Sequence, residues 1–311
     1  MDEITIDNLF DRRTAFPDLD ASRRFAALIG IDDTKTRLTR SLGILINPAG
    51  VREWGKKFHT ERMVLLDFVE RRPPLIILAG DVGTGKTELA MTVADPVARQ
   101  EEIGITLFPL SLSTRGSGRV GEMTKLLSAA FDETHKAAEK LKNQKGSKAN
   151  GAVILLVDEA DAIVQSRENS QMHHEDRAGV NAFIRGVDRL AEQRLPAAII
   201  LCTNRFSSID PAVRRRAAEI FLFDRPNTEQ RLAVLGTPLT EIGFSKKEIN
   251  EIVKRTGPIG GRDYGFTYSD LIQRLLPILV IDAYPDSPIT YNRSLEIMAD
   301  IHPTTPFREA I

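Results

Sequence analysis

The sequence predicts an α/β protein: a five-stranded parallel sheet flanked by helices, followed by a small all-helical domain. Three observations predict it. Five short apolar runs, at 75–79, 105–110, 153–157, 197–202 and 220–223, alternate with segments of helical spacing, the pattern of a parallel sheet with helices on both faces. The first run feeds into Gly80-Asp81-Val82-Gly83-Thr84-Gly85-Lys86-Thr87, a G-x-x-x-x-G-K-[ST] pattern in the strand–loop–helix setting it requires. Beyond Arg225-Pro226-Asn227 the spacing is helical and no strand-like run recurs.

Bulk properties bound the function. The 311 residues suffice for about two domains of ~150 residues. The divisions expected are an N-terminal arm (1–22), an α/β domain (23–224) and a helical domain with its tail (225–311). Forty-two basic against 43 acidic residues give a formal net charge of −1, so no global field favours nucleic acid or an anionic membrane. The single cysteine, Cys202, excludes an intrachain disulfide and sits in an apolar run as a small core residue. The acidic N-terminus lacks a signal-peptide core, and no apolar stretch approaches the ~18 residues of a membrane span. A cytoplasmic protein without direct nucleic-acid or membrane partners is expected.

In chain order, Asp32 and Asp33 are plausible caps for a helix over 34–46, with Leu38, Leu42 and Leu45 on one face and Pro48 and Gly50 as its stop. Trp54, Phe58, Met63, Leu66 and Phe68 read as a further helical stretch whose aromatics belong to a core. After the phosphate-binding pattern, the helix is expected to end near Asp95-Pro96, because proline disfavours helical backbone just before it. The strand at 105–110 opens into a polar Gly/Ser-rich loop at 111–121. A helix with Met123, Leu126, Leu127, Ala130 and Phe131 on one face follows, then a lysine-rich solvated stretch at 136–151. The strand at 153–157 delivers Asp158-Glu159-Ala160-Asp161. A helix spans 180–195, and the strand at 197–202 ends in Thr203-Asn204-Arg205. A short helix at 211–217 precedes the fifth strand. In the last domain, Leu232/Leu235, Ile249/Ile252/Val253 and 271–281 read as helices, with one more at 291–301.

The residues at the strand ends supply what phosphoryl transfer needs: neutralised charge, an oriented water and a donor at the γ-phosphate. Gly83 and Gly85 allow the backbone to turn its N–H groups toward an anion, and the helix beginning near Thr87 adds its positive end. Lys86 is the cation for the β- and γ-phosphates, and the Thr87 hydroxyl is a Mg²⁺ ligand. Asp158 can hold Mg²⁺, and Glu159 can polarise the attacking water as general base. Asp161 is open between this constellation and a cap for the next helix. Asn204 can hydrogen-bond the γ-phosphate and the lytic water. Arg214-Arg215-Arg216 offers guanidiniums of the kind supplied from a neighbouring subunit, which implies ATP at subunit interfaces of an oligomer. His173-His174 lack the i, i+4 spacing of metal ligands on one helix face and read as loop residues.

Together these motifs resemble the AAA+ ATPases, P-loop NTPases of the predicted fold, over about residues 24–279. The resemblance makes Ile29-Gly30-Ile31-Asp32 the adenine-contacting segment. It assigns Asp81, Val82, Gly83, Thr84, Gly85, Lys86, Thr87 and Glu88 to nucleotide binding, Asn204 to the first sensor, and Arg215 and Arg216 to the trans-acting arginines. Gly265-Phe266-Thr267-Tyr268-Ser269-Asp270-Leu271 is similar to the second sensor segment, with Ser269 where some members carry arginine. Within the superfamily, Ser166-Arg167 and the run from Arg177 to Ala182 resemble the pachytene-checkpoint/thyroid-receptor-interacting group in its compact bacterial form, found in antiphage signalling (CBASS) operons. That resemblance implies an ATP- and Mg²⁺-dependent homohexamer. It would partly unfold a HORMA-domain protein through its N-terminal segment, release a cyclic-oligonucleotide synthase and switch signalling off. The pore loop would be Gly118-Arg119-Val120-Gly121, with Val120 its only bulky apolar group, implying a weak, polar grip. Only a short arm precedes the ATPase module, so direct substrate recognition without an adaptor is expected. The alternatives are a DNA-associated loader or initiator, a remodeller of another protein, and a nucleotide-gated scaffold without turnover. The charge balance argues against the first, and Glu159 with the paired arginines argues against the last. No N-K-x-D motif favours a GTPase.

Overall fold

The computed structural model describes residues 9–60, 62–111, 122–143, 148–164 and 174–307. The chain divides into two compact units. The first comprises residues 1–25, 33–79 and 87–222; the second comprises 26–32, 80–86 and 223–311.

The first unit is built on a sheet of order β1-β3-β4-β5-β2-β6, from β1 (Thr14–Phe16), β2 (Leu75–Gly80), β3 (Ile105–Pro109), β4 (Ala152–Val157), β5 (Ala197–Thr203) and β6 (Ala217–Phe223). β3, β4, β5 and β2 pair in parallel. All residues of β4 and β5 are buried, which is why these strands read as unbroken apolar runs rather than alternating ones. β1 adds an antiparallel edge, pairing Thr14 with Leu107 and Phe16 with Ile105. The 1–22 segment expected as an arm thus places its described residues against the sheet: Phe10 and Phe16 are 6% and 3% exposed. Three residues are too few to show a strand period in sequence.

Nine helices of this unit are described: α1 (Leu19–Ala26), α2 (Asp32–Ile46), α3 (Pro48–Phe58), α4 (Val64–Glu70), α5 (Lys86–Thr92), α6 (Ala94–Glu101), α7 (Glu122–Leu141), α8 (His174–Glu192) and α9 (Pro211–Arg214). α7 and α8 cover one face, with the Phe131 and Phe183 rings edge to face at 5.5 Å. α2 ends at Ile46 before Pro48, as the sequence suggested, and Pro48 then opens α3 behind the Asn47 cap; Pro96 does not mark a helix end but sits in the first turn of α6, where a missing N–H costs no helical bond. The aromatics of α3 and α4 are not core: Trp54, Phe58 and Phe68 are 47%, 61% and 67% exposed.

The second unit is helical beyond β6: α10 (Thr228–Glu241), α11 (Lys246–Arg255), a π-helical stretch Asp270–Leu275 leading into α12 (Leu276–Ala283), and α13 (Tyr291–Asp300). Asn227 and Ser245 begin α10 and α11 with complete capping boxes. Leu235, Leu239, Ile252, Phe266, Leu271 and Leu275 form its core. No helix among the described residues is long and apolar enough to cross a membrane.

Candidate functional site

Register sets the strand ends of the first unit. Ala79 lies opposite Thr203, and Val157 opposite Leu201. Parallel strands in this register finish at one edge of the sheet, so Asp158 and Asn204 emerge side by side where β2 ends. Ligands of open α/β sheets bind beyond such carboxyl ends.

At the end of β4, Asp158 Oδ1 accepts the Glu159 N–H at 2.8 Å. Glu159 is exposed and adopts left-handed backbone, φ 49° and ψ 40°. A non-glycine residue in that region carries strain and points its side chain off the regular path. The Asp161 carboxylate does not cap the following turn. It accepts the Thr203 hydroxyl and the amides of Asn204 and Arg205, the latter two at 3.3 Å. Asp161 thereby fixes the β5 end from which Asn204 projects, a role no local pattern in the sequence signals, because the partners are 42 to 44 residues away.

The two expected arginines differ. Arg216 is engaged within its own chain: Nε and a terminal nitrogen form a two-pronged pair with Asp188 at 2.7 and 2.9 Å, and another donates to the Ala212 carbonyl at 3.0 Å. The Asp188 carboxylate raises the Arg216 pKa. Arg215, by contrast, is exposed, and its side chain has no partner among the described residues.

The first turn after the phosphate pattern carries Thr87, exposed, and Glu88. The Glu88 carboxylate is held by Arg24 at 2.7 and 2.9 Å. Glu88, expected at the nucleotide, is therefore tied to α1, and the hydrogen bond raises the Arg24 pKa.

In the second unit, the loop 80–86 is shaped by its glycines. At Gly80, φ is 151°, and a Cβ would fall 2.0 Å from the Phe223 carbonyl oxygen. At Gly83, φ is 72°, and a Cβ would meet the Thr267 hydroxyl at 2.7 Å. No other residue fits either place. Lys86 is 5% exposed, and its ammonium donates to the Gly80 and Asp81 carbonyls at 2.9 and 2.7 Å. Val82 is exposed at 42%, whereas Thr84 is buried and donates its hydroxyl to the Asp81 carbonyl at 2.8 Å. Gly83 accepts the Ser269 N–H at 3.0 Å. The segment likened to the second sensor thus rests on the phosphate loop, with Ser269 itself bonded to Gln273 at 2.9 Å. Nearby in sequence, Arg262 has its guanidinium 5.7 Å from the Tyr264 and Phe266 rings and donates to the Gly257 carbonyl.

Ile29 is 42% exposed, and the Gly30 carbonyl accepts the Gln230 side chain at 2.7 Å. The Tyr268 hydroxyl sits beside Gly30, buried without a partner. Burial, then the nearby Asp32 charge, pushes its pKa up to about 12. The expected pore loop, Gly118, Arg119, Val120 and Gly121, lies outside the described residues, as does His173.

The donor types present fit Mg²⁺ with a nucleotide: in the second unit the loop has left-handed glycines and a buried lysine head, and in the first unit Thr87 is exposed and Asp158 stands at the carboxyl end of β4.

The model of the ATPase family associated with various cellular activities (AAA) matches residues 76–225. The CD-NTase-associated protein 6 of Escherichia coli (strain MS 115-1) is 57% identical over 303 residues, covering 97% of each chain. Among solved structures, a chain of the E. coli MS115-1 HORMA:CdnC:Trip13 complex superposes with a TM-score of 0.90 at 56% identity, covering 98% of this chain and 99% of that one. The Rhizobiales Trip13 structure gives a TM-score of 0.76 at 51% identity, covering 96% and 100%. Sharing sequence and fold with these relatives from end to end, the chain belongs to the CD-NTase-associated protein 6 family of Trip13-type AAA ATPases.

Proposed function

We propose that this ATPase remodels a HORMA-domain protein, separating it from a cyclic-oligonucleotide synthase and so ending antiphage signalling. The observation that carries the reading is the end-to-end match, at 56% identity, to a chain solved in a HORMA:CdnC:Trip13 complex. In the mechanism, Lys86 and the loop amides hold the β- and γ-phosphates of ATP. Mg²⁺, held by Thr87 and Asp158, supplies charge neutralisation when bound. Glu159 takes the proton of the attacking water, and Asn204, set by Asp161, orients that water. Arg215 of an adjacent copy stabilises the charge that develops on the transferring group. Because the exposed Arg215 side chain has no partner among the described residues, a ring of copies, a homohexamer by analogy, is the form in which the reaction is complete.

The test uses the Glu159→Gln chain, which should bind ATP without turning it over. With ATP it should retain a HORMA-domain protein encoded beside it, and the wild-type chain should dissociate that protein from its synthase in the absence of any adaptor. Turnover at the wild-type rate in Glu159→Gln would remove the assigned base. Retention of an unrelated protein instead would favour a remodeller of another substrate. A salt-dependent shift of DNA mobility would favour the loader reading, which the net charge of −1 disfavours.

A further inference from the structure

Asp81 places a carboxylate inside the phosphate loop, where a polyphosphate has to be accommodated. Its Oδ1 accepts the adjacent Val82 N–H at 2.8 Å, and the Phe307 N–H of the C-terminal tail at 3.3 Å. Its Oδ2 is held by Arg225, with Nε and a terminal nitrogen both at 2.7 Å. Arg225 is itself anchored: its third nitrogen donates to the Gly265 carbonyl at 2.7 Å, and its guanidinium lies 5.0 Å from the Tyr264 ring centroid. The two side chains are 17% and 12% exposed. Asp224 and Asp263 line the same shallow cavity, of about 350 Å³. Arg225 is therefore the cation paired with the Asp81 carboxylate in a region that carries further carboxylates.

We propose that Arg225 is a positioning residue for ATP binding, which neutralises Asp81 and keeps its carboxylate turned from the phosphates. This rests on the reading of the loop as the ATP site. Without Arg225, an uncompensated negative charge stands a few ångström from the triphosphate. The repulsion is Coulombic, so it acts on affinity and fades as salt screens it. A merely structural pair predicts something different: removing either partner would harm binding alike, and removing both would not help.

The test is a titration of the full chain with a fluorescent, slowly hydrolysed ATP analogue and Mg²⁺. Arg225→Ala should weaken binding about tenfold, the effect expected of one unscreened charge near a polyphosphate. Asp81→Asn alone should weaken binding less than Arg225→Ala does. The double variant Asp81→Asn/Arg225→Ala should recover most of the lost affinity. Raising salt to about 0.5 M should shrink the Arg225→Ala deficit. Should Arg225→Ala fold poorly, Arg225→Gln keeps a donor for Gly265 and answers the same question. Equal losses in all three variants, or no loss in Arg225→Ala, would overturn the proposal. Failure of the parent reading looks different: wild type and Lys86→Ala would then bind the analogue alike.

Discussion

At the scale of single residues, adjacent arginines of one type have unlike surroundings. Sequence reads Arg215 and Arg216 as equivalent; Arg216 is bound to Asp188 and Ala212, and Arg215 is free among the described residues. Arg215→Ala should leave nucleotide affinity intact and cut the turnover number toward the ~10³-fold range that a guanidinium at a transferring phosphoryl group contributes. Arg216→Ala should instead lower stability. Both members of its pair are about a third exposed, at 31% and 40%, so the loss is at most about 1 kcal/mol after solvent screening. Steady-state ATPase assays beside thermal melts separate the two. Similar kinetic losses with similar melts would return Arg216 to the reacting centre.

At the scale of elements, buried apolar runs were legible and local context was not. The parallel strands β2, β3, β4 and β5 and the phosphate loop follow from composition, because a strand buried on both faces reads as an unbroken apolar run. Pro96 misled because the same residue that ends one helix suits the first turn of the next. Trp54 and Phe58 misled because helical spacing marks a face without saying what covers it. Strand ends gave Asp158, Glu159 and Asn204. Asp161, Arg225 and Asp270 were missed as supports because their partners are distant in sequence. Asp270, fully buried, shows what such a support does. It accepts the Thr267 amide at 3.0 Å, the Thr304 amide and hydroxyl at 3.0 and 2.7 Å, and Arg274 at 2.9 Å. Burial favours its neutral form, but these donors outweigh it and hold the pKa below the usual 3.8. The sign follows: the stabilisation is complete above pH 3.8 and is lost as pH falls below it toward the folded value. Asp270→Asn should cost roughly 2–3 kcal/mol near neutrality, since two or more charge-assisted bonds weaken. The stability gap between variant and wild type should narrow progressively as pH falls below 3.8. A gap that stays constant as the medium is acidified would mean the carboxylate charge is not what fastens the tail.

At the scale of the whole molecule, the proposed reaction needs a guanidinium at the transferring group, and the exposed Arg215 side chain has no partner among the described residues of a single copy. A site wholly within one chain and a site shared between copies differ in a measurable way. Glu159→Gln removes the base from a copy but leaves its Arg215 to serve a neighbour. Arg215→Ala removes the guanidinium but leaves that copy's own Glu159. If the site is shared, mixing the two inactive chains creates junctions in which an intact Glu159 meets an intact Arg215. Random mixing at equal amounts makes about a quarter of such junctions complete, so ATPase activity should rise to a sizeable fraction of wild type and vary with the mixing ratio. A mixture as inactive as its components, while both variants still assemble with ATP, would place the whole reaction in one chain and leave Arg215 without a catalytic part.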